Sequence, residues 1–107
     1  MKNINYPEVA DDDLAISKWD IVNFLETEDD MARYLDVALE ENDSAFISTV
    51  LGDIARAKGM TLIAEQTGLA RSSLYKALSP NGNPEFSTII KVINALGLRL
   101  RATTTKI

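Results

Sequence analysis

Neither cysteine nor histidine occurs among the 107 residues of this chain. Thiolate and imidazole chemistry is thereby excluded, and a zinc site loses its commonest ligands. No apolar run approaches the roughly 20 residues that span a bilayer, and Met1-Lys2-Asn3-Ile4-Asn5 does not lead into the core of a secretion signal. A soluble cytoplasmic protein with no membrane contact is expected. Carboxylates are plentiful, but they sit on helix faces and in runs such as Asp11-Asp12-Asp13, with no nucleophile, metal cluster or phosphate-cradling loop beside them. The expectation is a non-enzyme with no cofactor and no small-molecule substrate. Internal repeats and low-complexity linkers are missing too, and the length suits one domain that buries a core without staples.

Charge is present in quantity and is unevenly spread. Residues 1–53 hold 14 acidic against 3 basic side chains, net −11, and residues 54–107 hold 2 against 8, net +6, which together make the overall −5. A phosphate-facing surface must be positive, while an acidic surface attracts basic ligands, so this division predicts two partners of opposite sign.

The basic half contains the stretch around which the chain is organised, Met60 to Ser79. Two short amphipathic segments, Met60 to Thr67 and Arg71 to Ser79, flank Gly68-Leu69-Ala70, which is too short for anything but a sharp turn. This is the layout of a helix-turn-helix. Ile63, Ala64, Leu69, Leu74, Ala77 and Leu78 fall where the two helices touch each other or the core, and Gly68 suits a left-handed turn.

On the N-terminal side, residues 1–19 read as a partly irregular arm, and Asp20 to Leu25 as a short helix by the spacing of Ile21, Phe24 and Leu25. Thr27, with Asp30 three residues on, predicts the start of a helix from Glu28 to Glu41, with Met31, Tyr34, Leu35, Ala38 and Leu39 inward and Asn42 closing it. Asp43 caps the next, Ser44 to Lys58, with Phe46, Ile47, Val50, Leu51, Ile54 and Ala57 on one side and Gly59 at the end. Beyond Ser79, the run Pro80-Asn81-Gly82-Asn83-Pro84 is dense in turn formers. Asn83 is placed to cap a helix from Glu85 to Leu96 with Pro84 at its first position, burying Phe86, Ile89, Ile90, Ile93 and Leu96 before Gly97. Residues 98–104 alternate with period two, as a half-buried strand does, but no second strand is visible. Its expected mate is the same strand of another copy, which makes Leu98, Leu100 and Ala102 dimerisation candidates, or a strand of a different protein. The expected architecture is all-α: a single domain over 20–107, a bundle of five or six helices with one short C-terminal strand.

In a helix-turn-helix the second helix enters the major groove and the first lies across the backbone. The outward positions of the second helix are Arg71, Ser72, Ser73, Tyr75 and Lys76. Arg71 matches the O6 and N7 acceptors of guanine with its planar fork. Ser72 and Ser73 reach bases or phosphates, Tyr75 a phosphate or a thymine methyl, and Lys76 a phosphate. Thr61, Asn81 and Asn83 are further phosphate candidates. On the acidic half, Trp19, Phe24, Tyr34 and Leu35 are apolar anchors for a basic protein partner, or else core.

Met60 to Ser79, the segments GDIARAKGM, LYKALS and GNPEF, and the lead-in from Leu51 together resemble the putative addiction-module antidote family of HigA-like, Xre/Cro-type antitoxins, over about Asp20 to Leu100. The resemblance implies an all-helical fold of the λ-repressor type. It also implies a dimer that binds double-stranded operator DNA of its own operon and neutralises a small basic toxin of the RelE/ParE type. Three residues depart from the family pattern: Leu62 where Gln is common, Ala70 where Ser would cap the second helix, and Ser72 where Glu is frequent. Two rival readings remain. One is a stand-alone phage-type repressor, which would lack a neighbouring frame for a small basic protein. The other is a protein-interaction module, which would show no salt-sensitive DNA binding.

Overall fold

The computed structural model describes residues 24–105. The arm expected over 1–19, Trp19 and most of the short helix expected over Asp20 to Leu25 lie outside the described residues. Among the described residues there are five α-helices and no strand: α1 Glu28–Glu41, α2 Ser44–Lys58, α3 Met60–Thr67, α4 Arg71–Ala77 and α5 Phe86–Ala95.

Side-chain caps fix the first two boundaries. Thr27 Oγ1 accepts from the Asp30 N–H at 3.1 Å while Asp30 Oδ2 accepts from the Thr27 N–H at 3.2 Å, a reciprocal capping box. Asn42 closes α1 in left-handed backbone, φ 56°. One residue later, Asp43 Oδ1 accepts from the N–H groups of Ala45 and Phe46, which starts α2. So short a link folds α1 and α2 back on each other, and the pair is tied at the far end by Lys58 Nζ donating to Glu28 Oε2 at 2.8 Å.

The core lies where α2 and α3 meet the rest: α1 packs on α2, α3 packs on α2, α4 and α5, and α5 also reaches α2. Its fully enclosed members include Leu51, Ile54, Ile63, Leu74, Leu78 and Leu96. Each such side chain contributes about 1.5–3 kcal/mol relative to leaving it in water. Two glycines let the backbone come together around α4. A Cβ on Gly52, in α2, would sit 2.5 Å from the Leu78 carbonyl oxygen, and one on Gly82 would run into the carbonyls of Ala77 and Lys76. The C-terminal end of α4 is therefore held from both sides by backbone with no side chain in the way.

Three expectations are corrected. Asn83 does not cap α5. The loop is fastened to the end of α4 at Gly82 and reaches α5 only at Glu85, which takes the cap position in extended backbone without a side-chain hydrogen bond. Phe86 does not join the core but is 69% exposed. It shares a stripe with Ile89 and Ile93, yet at the helix's first residue the stripe has run past the enclosed region, and Val92 takes an interior place instead. The strand expected over 98–104 is not seen, because a strand needs a hydrogen-bonded neighbour and the described residues supply none. The alternation survives as burial: Leu98 and Leu100 are half-buried, Arg99 and Arg101 exposed. The segment leaves α5 through paired bonds, Gly97 N–H to Asn94 and Leu98 N–H to Ile93.

Two outcomes follow. Gly52→Ala should destabilise the fold by about 1–3 kcal/mol, because the added methyl meets backbone; an unchanged melting temperature by circular dichroism would show that α2 and α4 can part freely. The second concerns acid. Glu28 is held below its ordinary 4.5, first by its hydrogen bond from Lys58, and Asp30 below its ordinary 3.8, first by the Glu26 backbone N–H. Both groups are lowered on folding, so their contribution is complete above those ordinary values and is lost as pH falls below them, through the lowered folded-state values. Melting curves of the parent and of the Glu28→Gln, Asp30→Asn double variant should differ most near neutrality and converge in acid. A gap that widened on acidification would contradict this.

Candidate nucleic-acid interface

Helices α3 and α4 are joined by three residues, each with a definite part. Gly68 takes φ 77°, in the left-handed region, and its N–H donates to Ala64. Thr67 Oγ1 donates to the Ile63 carbonyl at 2.7 Å and accepts from the Leu69 N–H at 3.3 Å, pinning the turn to the helix before it. Half-buried Leu69 packs on the core, and Ala70, in extended backbone, precedes α4 with no side-chain cap.

Leu74 and Leu78 anchor α4 inward, and this sets the direction of everything else on it. Arg71, Ser72, Ser73, Tyr75 and Lys76 are all exposed, as are Thr61 at the start of α3 and Asn81 and Asn83 in the loop. The eight residues expected to meet DNA therefore all lie at the surface. Arg71 and Tyr75, one helical turn apart, also touch: the guanidinium carbon lies 5.8 Å from the centre of the Tyr75 ring, whose own exposure is 40%. That contact restricts the guanidinium without covering its donors. Ser79 Oγ donates to the Lys76 carbonyl and finishes the helix end. From Gln66 to Pro84 no side chain carries a negative charge, so this surface presents cations and neutral donors together.

The acidic half is organised differently. Leu35 is buried at 5% exposure and belongs to the core. Tyr34 is half-buried, and its hydroxyl donates to Asp53 Oδ2 at 2.9 Å, while Arg56 Nη2 donates to Oδ1 at 3.2 Å. Burial, with the Asp53 bond, raises the Tyr34 phenol above its ordinary range, so it remains a donor. Phe24 is open, at 76% exposure, and with Leu25, Tyr34 and Val37 it lines a shallow groove of about 270 Å³. Val37 had no place in the sequence expectations. Its signal was an apolar residue off the Met31–Leu35–Ala38 stripe, on the outer face of a helix carrying six carboxylates. Of the dimerisation candidates, Leu98 and Leu100 are half-buried beside α1, and Ala102 is exposed. Among the described residues no group of His, Cys, Asp and Glu is arranged to hold a metal ion, and no helix is long and apolar enough to cross a membrane.

A family described as probable addiction module antidote protein matches residues 15–104. A protein of Haemophilus influenzae, described only as uncharacterized, is 42% identical over 86 residues, covering 80% of this chain and 89% of its own length. No solved structure matches.

The uncapped start of α4 has a measurable consequence. Ala70→Ser should supply the missing acceptor and stabilise the protein by about 1 kcal/mol, which for a domain of this size raises the melting temperature by about 4–8 °C. An unchanged or lower value would mean that the backbone at position 70 cannot present the hydroxyl to α4.

Proposed function

The chain belongs to the family of probable addiction module antidote proteins, and from that premise we propose that it is the antitoxin of a type II toxin–antitoxin module and the repressor of its own operon. Membership implies a toxin partner. The operator-binding part of the proposal rests on one observation above all. Helix α4 buries Leu74 and Leu78 and turns Arg71, Ser72, Ser73, Tyr75 and Lys76 to solvent, on a stretch free of carboxylates.

In this reading α3 and α4 form a helix-turn-helix of the λ-repressor kind. Arg71 takes a guanine edge, Ser72 and Ser73 read neighbouring groups, and Lys76, Tyr75, Thr61, Asn81 and Asn83 hold phosphates. A homodimer places two such helices about 34 Å apart on an inverted repeat. The toxin, a small basic protein of the RelE/ParE type, is met by the acidic half, where α1 brings six carboxylates alongside one arginine, and exposed Phe24 offers an apolar anchor. The protein acts in the cytoplasm as a binder, with no catalytic step and no cofactor. A stand-alone repressor would share the α4 surface but would not need the acidic one.

The test is binding to the DNA upstream of the gene, measured by fluorescence anisotropy over a series of salt concentrations. Affinity should fall steeply with salt as phosphate-bound counterions are released. Arg71→Ala should cost about 1–3 kcal/mol and relax preference at one base pair. If the variant bound as tightly and as selectively as the parent, Arg71 would have no part in reading the operator.

A further inference from the structure

Arg71 is held differently from the arginines of α1 and α2. Arg33 donates to Asp30 at 2.9 Å and Arg56 to Asp53 at 3.2 Å, so each spends donors on a carboxylate of its own helix. No carboxylate lies between Gln66 and Pro84. Arg71 meets the ring of Tyr75 instead, with 5.8 Å from the guanidinium carbon to the ring centre. The two kinds of contact have different consequences. A carboxylate binds a guanidinium through its N–H groups and cancels its charge, whereas an aromatic face attracts the charge and asks for no donor. The ring thus confines the Arg71 guanidinium and leaves its N–H groups for a ligand.

The place of Arg71 in the helix gives that confinement its value. It is the first residue of α4, whose head has no side-chain cap, so the turn that carries it is the less secured one. Helical side chains lean toward the N-terminus, which brings Tyr75 back over the turn that begins at Arg71. Tyr75 follows Leu74, which is fully enclosed and fixes the rotation of the helix at that point. The ring therefore ties the uncapped head of α4 to the turn that the core holds.

We propose that Tyr75 is a positioning residue: its ring sets the Arg71 guanidinium before DNA arrives, so that discrimination at the base pair read by Arg71 depends on a side chain that touches no base there. The inference rests on the operator-binding reading and deepens it. The two ends of Tyr75 then have separate duties, the hydroxyl toward a phosphate and the ring toward Arg71, and substitution can pull them apart.

Fluorescence anisotropy with the upstream DNA and a set of singly substituted duplexes tests this. Arg71→Ala identifies the base pair at which preference is lost. Tyr75→Leu, which keeps an apolar side chain without the ring, should reduce preference at that same pair by about two- to fivefold, the size of an exposed cation–π contact, and leave preference at other pairs unchanged. Tyr75→Phe should keep the preference and weaken binding alike on every duplex, because only the phosphate contact is gone. In the Arg71→Ala background, Tyr75→Leu should have no further effect at that pair. Without DNA, the ring should shift the Arg71 side-chain protons upfield in the NMR spectra of the parent and of Tyr75→Phe but not of Tyr75→Leu, and all variants should share one helical circular dichroism spectrum. If the parent binds selectively and Tyr75→Leu is as selective at the Arg71 pair, the proposal is overturned and operator binding stands. A Tyr75→Phe protein that loses the preference as fully as Tyr75→Leu overturns it too, since the hydroxyl would then be the group at work, and so does an unshifted Arg71 in the parent. A parent that shows no salt-sensitive binding to upstream DNA overturns both readings together.

Discussion

The arrangement of the helices rests on the approach of α2 to the end of α4 at Gly52, where the Leu78 carbonyl occupies the space that any side chain would need. Helix α4 has only seven residues, too few to be stable by its own hydrogen bonds. It persists because Leu74 and Leu78 are enclosed and because Gly52 and Gly82 admit its last carbonyls from two directions. The placement of Arg71 and Lys76 at the surface thus depends on residues that never reach it. A short helix can show one whole face to solvent only when its other face is held this firmly.

A second constraint joins α1 to α2. Asp53 is 3% exposed, and a carboxylate so far from water requires strong donors. Tyr34 from α1 and Arg56 one turn along α2 both donate to it. Together with the exposed Lys58–Glu28 pair, this sets the angle of the acidic helix against the one that carries Gly52. The acidic helix and the cationic one are therefore both positioned by a single shared element, α2, through the neighbouring residues Asp53 and Gly52.

Much of this was legible from residue order because local chemistry decides it. Thr27 with Asp30, Asp43, Gly59 and Gly68 mark helix ends through bonds and dihedral angles involving only their near neighbours, and the structure places them accordingly. The absent cap at Ala70 was equally plain. What misled was anything decided at long range. Phe86 fits an apolar stripe by spacing, but whether a stripe is covered along its whole length depends on where the other helices stop. Residues 98–104 have the alternation of a strand, and alternation says nothing about whether a neighbour exists to complete the ladder. Gly52 and Asp53 open the segment GDIARAKGM that carries the resemblance, but their packing roles were not readable, since a glycine and an aspartate inside a helix read as mild defects until the packing partner is known. For the candidate DNA contacts, periodicity was enough to tell outward from inward, because Leu74 and Leu78 fix the helix's rotation; the toxin-facing candidates divide instead into open Phe24, tethered Tyr34 and enclosed Leu35.

Helix α4 is gripped at its tail and unassisted at its head. Opening of its first turn costs less than opening of its last, so amide exchange should be graded along seven residues, fastest at Ser72 and slowest near Ala77. Any molecule that seats against the head must also finish folding it. Such association would release heat against an entropic penalty and show a larger negative heat-capacity change than two rigid surfaces of the same area produce.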